Sequence, residues 1–143
     1  MKKSITLFLA IAIGGSQTFG FKQADLDKLK KTKECFKCDL SGVDLSNAKL
    51  VDSDMGGLDL SDSNLRKADL NGVSFYASDL EGVDFTEANL VRAKFQFADL
   101  TGAVLRDAKL DFANMDRAKL CNTVMPDGQR IFDGCSIQWE KIW

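Results

Sequence analysis

From Leu40 to Leu120 every fifth residue is Leu, Phe or Met. The series of seventeen centres runs Leu40, Leu45, Leu50, Met55 and onward to Leu110, Met115 and Leu120 without a slip of register. A helix turns by about 100° per residue, so a five-residue step rotates by a net ~140° and smears these side chains around its axis. On a strand, successive fifth residues point to opposite faces. Neither element buries the pattern. A chain that turns a corner about every five residues does, because each short segment then sends one large side chain inward. The residue two before each centre is mostly small, as at Val43, Ala48, Ser53, Ala68, Ala98 and Ala103. A small inward residue beside a large one lets the chain wrap a narrow core. Glycine falls two after the centre at Gly42, Gly57, Gly72, Gly82 and Gly102, where a corner needs a positive φ.

Segments such as Cys38-Asp39-Leu40-Ser41-Gly42, Val43-Asp44-Leu45-Ser46-Asn47 and Ala98-Asp99-Leu100-Thr101-Gly102 carry a further signal. They resemble the A(D/N)LXX unit of the pentapeptide-repeat family, over roughly residues 38–127. The resemblance implies an all-β architecture, a right-handed quadrilateral β-helix with four pentapeptides and twenty residues per coil. Recurrences at twenty echo it: Asp39, Asp59, Asp79 and Asp99; Gly82 and Gly102; Phe75 and Phe95. About four and a half coils at ~4.8 Å make a rod on the order of 22 Å long, with all seventeen centres expected inside.

A stack of coils leaves two open ends that need covers. Residues 21–37 are expected to form an N-terminal cap, with a short helix over 24–31 presenting Leu26 and Leu29 and with Phe21 nearby. Residues 128–143 are expected to form an apolar C-terminal cap from Ile131, Phe132, Ile137, Trp139, Ile142 and Trp143. The competing reading of that tail is a docking surface or a homodimer interface. Residues 1–20 read as a secretory signal peptide: Lys2 and Lys3, an apolar run from Ile5 to Ile13, and Thr18 and Gly20 in a −3/−1 arrangement. The apolar run is too short to span a bilayer. The protein is therefore expected to be periplasmic or secreted, with no membrane anchor. Removing Lys2 and Lys3 and no acid takes the formal charge from −2 to −4, which argues against nucleic acid as a partner.

The cysteines form two local pairs. In an oxidising compartment these read as disulfides, Cys35 with Cys38 and Cys121 with Cys135. Extending the repeat backwards makes Cys35 a centre and puts Cys38 two before the next, so both face inward at one corner. The flanks of both pairs also resemble the cap segments of exported pentapeptide-repeat proteins. A redox dithiol at Cys35 and Cys38 is the alternative, although a helix N-terminus in a βαβ context is missing. A four-cysteine zinc site fits less well, since Cys38 and Cys121 should lie on the order of 20 Å apart, far beyond the ~2.3 Å of a Zn–S bond.

The chain has no histidine, which removes the commonest general base and the usual hydrolytic triads. No phosphate-binding glycine loop is present. The expectation is a non-enzyme without a cofactor or a metal. Two surface features stand out from the repeat. One is the column Asp39, Asp59, Asp79 and Asp99, which either bonds local backbone or forms a cation or basic-partner site. The other is the outward pair Tyr76 and Phe97, one coil apart in adjacent columns, a candidate protein anchor. The leading reading is an exported structural or protein-interaction module with a protein partner still to be identified. A DNA-mimicking protein that binds topoisomerases is an alternative the signal peptide disfavours. A periplasmic thiol–disulfide protein acting through Cys35 and Cys38 is another.

Overall fold

The computed structural model of the chain describes residues 21–136. The signal-peptide reading of 1–20 and the part of the C-terminal cap reading that falls on 137–143 lie outside these residues. Among the described residues, fifteen parallel bridges join positions twenty apart, from Glu34↔Asp54 to Val104↔Val124. Each coil therefore holds twenty residues, as the four-unit square requires. The contacts stay single bridges because a corner interrupts the chain before a longer strand can form.

The hydrogen bonds repeat with the same period. The Leu40 N–H donates to the Asp59 carbonyl at 2.8 Å, and the Gly42 N–H to the Ser61 carbonyl at 2.7 Å. In the other direction the Asn64 N–H donates to the Val43 carbonyl at 2.9 Å. Within a corner, the Val43 N–H bonds back to the Leu40 carbonyl at 3.1 Å, a four-residue turn. The residue two after each centre has φ near +60°, the signature of a type II corner. Glycine takes this role at Gly42 (φ 69°), but Lys67, Arg92 and Phe97 do so too, at φ 57°, 59° and 61°. Three ladder or turn bonds per corner hold the backbone there against its own preference.

Fourteen of the seventeen centres are buried. The expectation that all seventeen would be fails at Leu110, Met115 and Leu120, which are half-buried. They belong to the last coil, which has a neighbouring coil on one side only. In mid-stack, Phe75, Phe85 and Phe95 are wholly buried and touch one another, with Phe75 and Phe95 stacked at 5.3 Å and Phe85 edge-on to both.

Helix α1 spans Gln23–Thr32, two residues longer than the expected 24–31. Its Leu26 and Leu29 enter the core against the first coil. The Lys22 N–H donates to the Asp39 carbonyl, and Asp25 accepts the Asp39 N–H at 3.1 Å, tying helix to coil. The ladder starts at Glu34, inside the segment assigned from sequence to the N-terminal cap. At the other end β1 (Leu120–Val124) and β2 (Arg130–Asp133) form an antiparallel hairpin with a bulge between Cys121 and Thr123. The hairpin begins within the last repeat, so 38–127 and 128–143 are not cleanly separate units. Ile131 is half-buried and Phe132 exposed.

Candidate functional site

The outward positions form columns, and the columns give each coil face its character. The aspartate column is contiguous, bridging Asp39↔Asp59↔Asp79↔Asp99 and ending on Lys119. In every member Oδ1 accepts the N–H two residues on, at Ser41, Ser61, Glu81 and Thr101. The same bond recurs in other columns, as at Asp44 and Asn64. The carboxylates are thus engaged in shaping their own corners. At the column's end Lys119 Nζ bonds Asp99 Oδ2 at 3.0 Å. Burial pushes the Asp99 carboxyl up, but the hydroxyl and amide of Thr101 together with Lys119 hold it below its ordinary value. Asp84 behaves alike: burial raises it, while Thr86 and the Arg66 guanidinium, 3.0 Å away, bring it below the usual range. No group of three or more acidic or thiol side chains converges among the described residues.

Both cysteine pairs sit at bonding distance, with Cα separations of 5.5 Å for Cys35–Cys38 and 4.7 Å for Cys121–Cys135. Cys35 and Cys38 are buried under α1. The two pairs occupy opposite ends of the stack, so the four sulfurs do not converge.

The aromatic pair lies on the face that holds Met55, Phe75 and Phe95 inside. Tyr76 is 52% exposed and Phe97 47%, with the rings edge-on at 5.5 Å. Arg117 lies 5.4 Å from the Phe97 ring. Phe36 stands on the same face, two coils from Tyr76, and is 71% exposed. Between them come Gly56 and Gly57, whose missing side chains leave a groove of about 510 Å³. Glu34, Asp54, Lys94 and Gln96 also line it. Phe36, the glycine gap and Lys94 escaped the sequence reading, although 36, 56, 76 and 96 differ by twenty. Laying the chain out in twenty-residue rows would have aligned them.

Comparison with known proteins places these features in context. A family model described as pentapeptide repeats matches eight copies, over residues 38–75, 68–107 and 88–125. No curated protein matches the sequence. Among solved structures, a pentapeptide-repeat protein from the Arabidopsis thaliana thylakoid lumen is 32% identical, with a TM-score of 0.53 and 64% of each chain covered. This chain therefore spans 64% of that relative's length. A pentapeptide-repeat protein from the cyanobacterium Cyanothece 51142 is 22% identical, with a TM-score of 0.58, 71% of this chain and 97% of that one being covered. The fold these likenesses share is a right-handed β-helix.

Proposed function

This chain belongs to the pentapeptide-repeat family, and on that footing we propose that it is an exported, non-catalytic module that holds a protein partner against its aromatic face. One observation carries the reading. The repeat asks for nothing apolar at outward positions, yet Phe36 and Tyr76 stand exposed along a groove, with Phe97 exposed edge-on against Tyr76. Exposed aromatics gathered this way are what protein-binding surfaces use as anchors. The aspartate column has a sufficient role in the corners, so the binding surface is assigned to the aromatics.

Export rests on the character of residues 1–20 and on two cysteine pairs that an oxidising compartment would keep bridged. A similar protein comes from a lumen, the thylakoid's. Burial of Cys35 and Cys38 speaks against thiol exchange, because an attacking thiolate needs access to a sulfur. Helix α1 and the disulfide-closed hairpin serve as covers for the two ends of the core.

The test compares the exported protein with a triple variant, Phe36→Ser, Tyr76→Ser and Phe97→Asn, the last chosen because Asn tolerates positive φ. Periplasmic extract should yield a protein retained by the wild type and lost by the variant, at an unchanged melting temperature. Equal retention by both would refute the aromatic-face reading. Cell fractionation checks export separately.

A further inference from the structure

Resting on the aromatic-face reading, the charges of the groove point to the segment that fills it. We propose that it takes an extended peptide bearing a basic side chain, an apolar or aromatic one two residues on, and an acidic one two residues further. One column crosses the groove in the order Glu34, Asp54, Ser74, Lys94, each bridged to the next. It runs from two acids to a base, with the aromatic rings of Phe36 and Tyr76 beside it. Neither Glu34 nor Lys94 has an ion pair among the described residues. From between the two acids to Lys94 is about two and a half coils, on the order of 12 Å at strand spacing. An extended chain covers ~13 Å in four residues, and residues i, i+2 and i+4 share one side. The spacing therefore matches charge to charge, with the middle side chain against the rings.

The backbone of the groove is open to the same ligand. Elsewhere an Asp or Asn before the centre accepts the N–H two residues on, as Asp54 does from Gly56 and Asn114 from Asp116. With Ser74 and Lys94 in that place, the amides of Tyr76 and Gln96 have no acceptor among the described residues. Gln96 Oε1 is a buried acceptor with no donor. The two amides are donors available to a peptide's carbonyls.

The probe is a fluorescein-labelled, end-blocked heptapeptide, Gly-Lys-Ser-Trp-Ser-Glu-Gly, titrated with the full exported chain and read by anisotropy. Two like-charged controls carry Lys at both charged places or Glu at both; reversed order is no control, since the peptide can lie either way. The mixed-charge peptide should bind at least tenfold tighter than both controls. Lys94→Glu should reverse the preference in favour of the doubly basic peptide. Equal affinity for all three, lost with Tyr76→Ser, would overturn the charge pattern and leave the aromatic reading standing. Equal affinity insensitive to Tyr76→Ser would refute both. No binding of the mixed peptide at millimolar protein would overturn the proposal, while the triple-variant comparison still judges the aromatic face.

Discussion

Ser63 and Ser78 both stand two residues before a centre and both are buried, yet only one of them has a hydrogen-bond partner. Ser78 Oγ donates to the Met55 carbonyl at 2.7 Å, whereas Ser63 Oγ has none. A buried hydroxyl without a partner carries its desolvation cost uncompensated. Ser63→Ala should therefore leave stability unchanged or raise it by up to about 1 kcal/mol, and Ser78→Ala should lower it by about 1 kcal/mol. Urea unfolding of the two variants checks the contrast. The aspartate column gives a second pair. Asp79→Asn keeps the acceptor for the Glu81 N–H and removes one of the stacked charges, so it should be neutral or stabilising. Asp79→Ala loses that acceptor and should cost about 0.5–1 kcal/mol, in the range of a lost helix cap. Inward positions were legible in the sequence because size and spacing alone dictate them. Which buried serine finds a carbonyl was not, since that depends on the coil above. Tyr76 and Phe97 were legible as outward residues, but the groove was not, because it joins Phe36, Gly56, Gly57 and Tyr76 only across stacked coils.

At the scale of the corner, glycine marks a rule that most corners obey without it. Gly42 sits at φ 69° with nothing within 4 Å of where a Cβ would be, so Gly42→Ala tests backbone preference alone. It should cost about 1–2 kcal/mol, the penalty of the left-handed region, and Gly42→Asn clearly less. The five glycines made the corners visible in the sequence. That Lys67, Arg92 and Phe97 adopt the same φ was not visible, because local preference opposes it and the ladder and turn bonds of the stacked coils enforce it. The hairpin was hidden for a related reason: β1 continues the last repeat in sequence and departs from it only by pairing with β2. The bridge Cys121–Cys135 closes that hairpin. Cys135→Ser should remove about 3 kcal/mol at most by the chain-entropy model. In a one-dimensional stack the loss should stay local. Hydrogen exchange should quicken over 120–133 and remain slow at Leu80 and Phe85.

Across the whole molecule, the titrating groups set a stability window. Asp44 is lowered by the amide and hydroxyl of Ser46. Asp84 and Asp99 are lowered as well. A depressed carboxyl contributes stability above its unfolded value, about 3.9, and that stability drains away as pH falls through the folded value. The Lys119 ammonium is raised by its hydrogen bond to Asp99, so its contribution is full below about 10.4 and vanishes as pH climbs past its higher folded value. The urea midpoint should be flat between about pH 5 and 9 and fall below about 4. The repeat made the solenoid legible from sequence; the proposed binding face was less so, because it is assembled from residues twenty and forty apart. Photo-cross-linking tests the proposed binding face most directly. Benzoylphenylalanine is placed singly at Tyr76, Phe97, Arg66 and Arg106, the last two being outward positions of another column. Irradiation in periplasmic extract should give one adduct of defined mass from positions 76 and 97 and none from 66 and 106. The same adducts in equal yield from all four positions, or an adduct from 66 and 106 alone, would contradict the assignment of the aromatic face as the binding surface.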